Sequence, residues 1–288
     1  PKHLAIVGGG YIGLELGSVW QRLGAKVTVI EMLPQIAAGL DGQIGRKLKQ
    51  VLTRQGFTFR LETRVSAARV KGKTVHVSLE AGDKAETLTC DRLLVAVGRR
   101  PLTRGLGLAA AGVETDPKTG RVLVDAAYRT KVPAVYAIGD LVSGPMLAHK
   151  ASAEGLAVAE IIAGRSAEVN YDAIPAIVYT WPEVAAVGLT QEQVKERGIP
   201  HRIGTYPFAG SGRARCMGDT EGMVKLIAHE RTDRILGVHI IGPRASDMIA
   251  EAALALELGA AAEDVARTVH GHPTFAEALM EAALAVQK

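Results

Sequence analysis

His3-Leu4-Ala5-Ile6-Val7-Gly8-Gly9-Gly10-Tyr11-Ile12-Gly13 is the stretch on which the fold turns. Leu4–Val7 is a short apolar run with the composition of a buried parallel strand. Gly8-Gly9-Gly10 reads as a turn. From Tyr11 to Leu23 apolar residues recur at helical spacing, at Ile12, Leu16, Val19, Trp20 and Leu23, and Gly24 is placed to end the helix. Val27–Ile30 predicts a second strand, closing at Glu31. Strand, glycine turn, helix and strand form a β-α-β unit, and Gly8-x-Gly10-x-x-Gly13 carries the G-x-G-x-x-G pattern. Its position between strand and helix, with an acid 23 residues after Gly8, makes the match specific for a dinucleotide site.

The physical reasons are direct. Gly8 permits the tight turn, Gly10 lets the backbone approach a pyrophosphate, and Gly13 allows close helix–strand packing, with Gly17 extending the small face. The helix start offers free N–H groups and a positive dipole end. Glu31 can accept hydrogen bonds from a ribose diol and would repel a 2′-phosphate. Met32-Leu33 follow, with no adjacent Arg, so NAD is expected rather than NADP.

Outward from this unit, a helix is expected over Gln43–Gln55 and a strand near Phe57–Leu61. A small antiparallel meander is expected over Val65–Leu88, with Lys71-Gly72-Lys73 as a turn. Leu93–Val97 and Ala134–Ile138 read as buried strands. A helix is expected from about His149 to Ala163, and Gly164–Asp172 reads as a polar linker. The remainder predicts strands at Val184–Leu189, Arg202–Tyr206, Met223–Ala228 and Ile235–Ile241. Helices follow at about Ala245–Leu258 and Thr274–Val286, an α+β order.

Two further segments carry polar chemistry. Ile138-Gly139-Asp140 ends an apolar run with a carboxylate, placed to hold a ligand hydroxyl or simply to form an Asp turn. The helix after it, entered through Met146-Leu147-Ala148-His149, could face a negatively charged ligand edge, and His149 reads equally as an ordinary first-turn histidine. His270-Gly271-His272-Pro273-Thr274-Phe275-Ala276-Glu277 is a polar spot in an Ala-rich region. His titrates near neutrality, as a general base requires, and a carboxylate would fix its tautomer. Thr274-x-x-Glu277 is also a capping-box pattern, and His-x-His a possible but unsupported metal pair.

The 288 residues suggest about two domains, at roughly 150 residues each. A 48% hydrophobic fraction supports a sizeable core and rules out a disordered chain. No apolar run is long enough to span a bilayer. The net charge of +4 is too mild and scattered to indicate nucleic acid. With only Cys90 and Cys216, a disulfide scaffold, a Cys-rich metal site and a C-x-x-C redox pair are all excluded. No G-x-S-x-G or P-loop pattern occurs. The chain begins at Pro1 with the first strand almost immediately, as a mature chain or a piece of a longer protein would.

Together these motifs resemble the pyridine nucleotide-disulfide oxidoreductases of class I, over essentially the whole chain. Within that family they are most similar to members that oxidise dihydrolipoamide with NAD⁺ rather than to glutathione or mercuric reductases. Gly8–Glu15 looks like the family's NAD turn and Val95–Pro101 like the crossover out of the NAD domain. Tyr136–Asp140 is similar to the second FAD motif, with Asp140 on the ribityl chain, and Met146–Ala151 to the segment beside the flavin ring. Ile177–Glu183 resembles the start of the dimerisation domain, and His272-Pro273-Thr274 with Glu277 the catalytic dyad.

The resemblance implies a Rossmann-type α/β NAD-binding domain (1–102), a remnant of an FAD-binding domain (103–168) and an α+β dimerisation domain (169–288). It implies His272 and Glu277 as catalytic residues. It places Gly8, Gly9, Gly10, Tyr11, Ile12, Gly13, Leu14, Glu15, Glu31, Val65, Gly98, Gly139, Asp140, Met146, Leu147, Ala148 and His149 at NAD or FAD, with no metal. A homodimer is expected, acting in redox homeostasis on dihydrolipoamide borne by the lipoyl domain of a 2-oxo acid dehydrogenase complex. Neither nucleic acid nor membrane is an expected partner. The cytoplasm is the expected location, with an organelle matrix as the other. The family's N-terminal FAD segment and Cys-x4-Cys disulfide have no counterpart here, so the chain looks like the part from the NAD domain onward. A redox-inactive NAD-binding and dimerisation fragment, and a related flavin disulfide reductase or transhydrogenase, are the alternatives.

Overall fold

The computed structural model describes residues 1–287, which form two compact units. One comprises Pro1–Val97 with the chain from Asp172 onward, the other Gly98–Tyr171. The first unit opens with β1 (His3–Val7), α1 (Tyr11–Arg22), β2 (Lys26–Ile30), α2 (Gly42–Arg54) and β3 (Phe57–Arg60). The meander follows as β4 (Arg64–Lys71), β5 (Thr74–Ala81) and β6 (Lys84–Cys90), and then β7 (Arg92–Val95). Strands β3, β2, β1 and β7 pair in that order as a parallel sheet, with Leu4 opposite Val27 on one side and Arg92 on the other. This is the strand order of a mononucleotide-binding half, with the site expected beyond the strands' carboxyl ends.

One expectation changes here. The expected buried strand Leu93–Val97 is the sheet's edge strand, stops at Val95 and is only half-buried. The helical apolar stripe of α1 faces outward: Ile12, Leu16, Val19 and Trp20 are exposed, and Leu23 beyond them is 71% exposed. The sheet instead receives Gly13, Leu14, Gly17 and Ser18. A Cβ on Gly17 would lie 2.9 Å from Ile6 Cδ1, so the helix approaches the sheet too closely for a larger residue. Helix α2 begins one residue earlier than expected, because the Asp41 carboxylate accepts the Gln43 N–H at 3.0 Å and caps it.

The second unit holds α3 (Ala148–Ile162), wound close to its expected bounds. The buried strand expected at Ala134–Ile138 is absent. Only an isolated bridge, Arg129 to Tyr136, pairs it, and Val135 is exposed. An apolar run becomes a strand only where neighbours satisfy its backbone, and among the described residues none does so over this length. Tyr128, Ala157 and Val158 form this unit's buried cluster.

The first unit then resumes with β8 (Ala176–Val178), β9 (Glu183–Gly188), α4 (Gln191–Glu196), β10 (His201–Pro207), α5 (Gly212–Met217), β11 (Met223–His229), β12 (Ile235–Gly242), α6 (Ala245–Glu257), α7 (Ala262–Arg267) and α8 (Glu277–Val286). The order β10-β11-β12-β9-β8 makes an antiparallel five-stranded sheet. One face carries a core of Leu226, Val238, Ile240 and Phe208 against Ile249, Ala252, Leu279 and Ala282. The other face puts Val178, Val184, Ala186 and Ile241 into a core shared with Ile44, Leu48 and Val27. Burial on both faces explains why β9, β11 and β12 are apolar at most positions, with Lys225 and His239 as buried polar exceptions. Short helices α4 and α5 interrupt the expected grouping of strands before helices, and α7 lies between the two expected helices.

Candidate functional site

At the carboxyl end of the parallel sheet, β1 turns through Gly8, whose φ of 103° suits glycine. A Cβ on Gly8 would overlap the Ala96 carbonyl, and one on Gly13 the Gly8 carbonyl. Gly10 is different: a Cβ there would meet nothing within 4 Å. The glycines at 8 and 13 serve the chain's own packing, and Gly10 leaves open space above the start of α1. That start has no side-chain cap and no acid in its first turn. Its N–H groups are therefore left uncapped by side chains of its own first turn, and the cradle fits a pyrophosphate.

Glu31, at the end of β2, accepts the Gly9 N–H at 2.7 Å on Oε2 and the Leu33 N–H at 2.9 Å on Oε1. Its carboxylate lies at the turn's edge, an acceptor suited to a ribose diol. Tyr11, Ile12 and Leu14 lie in the first turn of α1, with Ile12 exposed and Leu14 buried. Glu15, one turn further, accepts the Tyr179 N–H at 2.9 Å, tying α1 to the segment before the cis Trp181–Pro182 peptide. Val65 lies on β4 opposite Leu79, half-buried against Ala5 and Ile30.

Elsewhere in the same unit, His272 Nδ1 lies 2.7 Å from Glu277 Oε1, and Glu277 Oε2 accepts the Thr274 N–H at 2.7 Å. One carboxylate thus does what the two sequence readings assigned separately. It holds the histidine and it also supports the turn. The capping box itself is incomplete, since α8 begins at Glu277 and the Thr274 hydroxyl donates to Gly271 instead. The Thr274 N–H and then His272 hold the Glu277 carboxyl below the usual range. With Nδ1 engaged, the ring presents Nε2 outward, and the His272 side chain is 76% exposed. His270 is turned away onto its own carboxylate, Glu251, at 2.8 Å. Among the described residues no group of three His, Cys, Asp or Glu side chains could hold a metal.

In the second unit, Gly98 takes a positive φ with open space around it. Arg99 bridges the Asp140 carboxylate, 3.4 Å away, and the Met146 carbonyl. Gly139 has a φ of 69° and Asp140 is exposed. Met146 and Leu147 are half-buried, and Ala148 and His149 open α3, both exposed. The start of α3 has no side-chain cap and no acid in its first turn. An accessible carboxylate beside an uncapped helix start fits a ligand with a polyol and an electron-rich edge.

Sequence reading missed three polar constellations. Asp41, Lys225 and Gln191 form a buried cluster in the first unit, with Lys225 Nζ 2.8 Å from Asp41 Oδ2 and 2.9 Å from Gln191 Oε1. Lys225 sits opposite His239 in the sheet register, and His239 is buried with Nε2 on the Leu189 carbonyl. Their separation by up to 184 positions gives no local signal. The second is the His270–Glu251 pair. The third, Lys150 with Glu154, lies inside α3. At helical spacing of four it reads as an ordinary surface pair, and only its burial marks it out.

Residues 1–155 match the family model described as pyridine nucleotide-disulphide oxidoreductase, and residues 174–283 the model for that family's dimerisation domain. The chain is 53% identical over 290 residues to a mitochondrial dihydrolipoyl dehydrogenase of Mus musculus, and 51% to that of Homo sapiens. It covers 99% of this chain and 57% of each relative. A Caenorhabditis elegans protein of the same name is 52% identical over 288 residues. Among solved structures, LpdA of Mycobacterium tuberculosis superposes with a TM-score of 0.91 at 26% identity, over 99% of this chain and 61% of that one. The HOCl-induced flavoprotein disulfide reductase RclA of Escherichia coli gives 0.90 at 29% identity, over 99% and 65%.

Proposed function

Since the chain belongs to the pyridine nucleotide-disulphide oxidoreductases, we propose that it carries the NAD site, part of the FAD site, the base and the dimer surface of a dihydrolipoyl dehydrogenase. The overall reaction converts dihydrolipoamide and NAD⁺ to lipoamide, NADH and a proton. The observation that carries this reading is the 2.7 Å pairing of His272 with Glu277 in a chain 51–53% identical to enzymes of that name. When bound, FAD supplies a two-electron relay between a dithiol–disulfide couple and NAD⁺.

The chain's own residues have defined tasks. Gly8, Gly9, Gly10 and Gly13, with Tyr11, Ile12, Leu14 and Glu15, form the dinucleotide cradle. Glu31 takes the ribose diol, and Val65 and Gly98 are assigned to cofactor contacts. Gly139 and Asp140 take a flavin polyol, and Met146, Leu147, Ala148 and His149 border the ring. Glu277 keeps the Nδ1 proton of His272 in place, so Nε2 can accept a thiol proton. The domains are 1–102, 103–168 and 169–288. The dimer surface lies in the last, and the physiological substrate is a lipoyl group of a 2-oxo acid dehydrogenase complex. No described helix is long and apolar enough to cross a membrane. The expected cytoplasmic location widens to an organelle matrix, which the mitochondrial relatives favour.

In the protein that carries this chain, His272→Gln should lower dihydrolipoamide oxidation by about two to four orders of magnitude while leaving NADH binding unchanged. Unchanged turnover in a steady-state assay removes His272 from the chemistry. A second reading, an NAD-binding and dimerising module without redox chemistry of its own, is favoured by the cysteines. Cys90 is buried, Cys216 is exposed, and both are free. Lipoamide turnover by the purified chain would exclude it.

A further inference from the structure

Beneath the Gly139–Asp140 turn lies a polar cluster that no reading of the site above uses. Lys150 and Glu154, both on α3, have fully buried side chains, with Nζ and Oε1 3.1 Å apart. Glu154 Oε2 accepts the Gly139 N–H at 2.7 Å. Lys150 Nζ donates to the Gly139 carbonyl at 2.9 Å. The Tyr171 hydroxyl donates to Glu154 Oε1 at 2.6 Å and lies 3.1 Å from the Tyr128 hydroxyl. Because the Tyr171 proton is committed to Glu154, Tyr128 is the donor in that last bond. Both polar groups of one residue, Gly139, are therefore gripped by opposite charges from a single helix.

A buried ion pair is a poor way to stabilise a fold, since desolvation opposes the attraction and an apolar pair of similar volume does as well. What this pair supplies is direction. Gly139 adopts a left-handed φ, and a Cβ there would press on Ala151 at 3.1 Å. Asp140 follows immediately, with its carboxylate exposed. We propose that Lys150, Glu154 and Tyr171 are positioning residues that lock the Gly139 peptide from both sides and thereby aim the Asp140 carboxylate at a ligand polyol. The proposal rests on reading Asp140 as a flavin-side residue. Burial first, and then Glu154 and Tyr128, push the Tyr171 phenol far above its usual range, so it remains a donor throughout the working pH range.

Two probes separate positioning from mere folding. Riboflavin has the polyol chain, and lumiflavin has the same ring without it. In the protein that carries this chain, Glu154→Gln should weaken riboflavin binding roughly tenfold and leave lumiflavin within about twofold, with the shape-preserving Tyr171→Phe giving a smaller loss of the same selectivity. Hydrogen exchange measured without ligand should rise at residues 136–147 in both variants and stay unchanged in the parallel sheet. Asp140→Asn is the control for the underlying reading. If Asp140→Asn reduces riboflavin selectivity while Glu154→Gln and Tyr171→Phe do not, the proposal fails and the reading survives. A wild-type protein with no preference for riboflavin over lumiflavin overturns both. Equal weakening for the two flavins, or unchanged exchange over 136–147, also overturns the positioning role.

Discussion

Two glycines of the G-x-G-x-x-G motif are present for different reasons, and alanine separates them. Gly13→Ala would drive a methyl into the Gly8 carbonyl and should cost about 1–3 kcal/mol of stability. Gly10→Ala meets open space at a φ of −76°, so it should leave the melting temperature unchanged while weakening NADH binding. Paired thermal melts and fluorescence titrations check this, and equal behaviour of the two variants would show that Gly10 is not at a ligand. At this scale the sequence was informative wherever chemistry is local. The glycine turn with Glu31, and His272 with Glu277, lie within short segments whose spacing already brings them together. For α1 two signals diverge, because periodicity locates an apolar stripe but does not say which side the sheet takes. Gly13 and Gly17, the small residues, identified the buried side better than Ile12 and Leu16 did.

Among the elements, the junction of α2 with the five-stranded sheet has the strongest electrostatic stake. Burial raises the Asp41 carboxyl, but the Lys225 ammonium and the Gln191 N–H outweigh it, and the net effect is a lowered value. Lys225→Met would strand that carboxylate and should cost about 3–5 kcal/mol, most of it recovered by adding Asp41→Asn, which keeps an N-cap for α2. A double-mutant cycle by urea unfolding measures this, and strict additivity would contradict it. His239 behaves differently with pH. Burial lowers it, so the folded protein keeps it neutral while the unfolded chain takes up a proton below about pH 6.5. Stability should therefore decline as pH falls from 7 to 5, and His239→Gln should flatten that slope. Below about pH 4 the lowered Asp41 and Glu277 add a further loss, as each is protonated in the unfolded chain first. None of this was legible in sequence. Lys225 reads as a polar interruption of a strand, and the strand expected at Ala134–Ile138 shows the converse, an apolar run with no ladder to join.

At the scale of the whole molecule, the chain spans about 57% of the length of the curated relatives it matches, and residues 174–283 correspond to a dimerisation domain. Light scattering of the purified chain should give twice its 30.4 kDa mass, and a monomer across the micromolar range would refute the dimer proposed above. The broad architecture was readable because strand, turn and helix signals alternate cleanly in the first hundred residues. That Pro1–Val97 and the chain from Asp172 onward form one compact unit was not, since it depends on which distant segments meet. The five-stranded sheet, covered on both faces, also has an evolutionary consequence. Its residues in β9, β11 and β12 answer to two sets of neighbours at once, so few replacements suit both. The β4–β6 meander is covered far less, and most of β4 and β6 is exposed. In a saturation library selected for folding, the doubly covered strands should accept the fewest amino acids per position and β4 and β6 the most. Sequence drift in descendants of this protein would then be concentrated in the meander, while the sheet keeps a nearly fixed text.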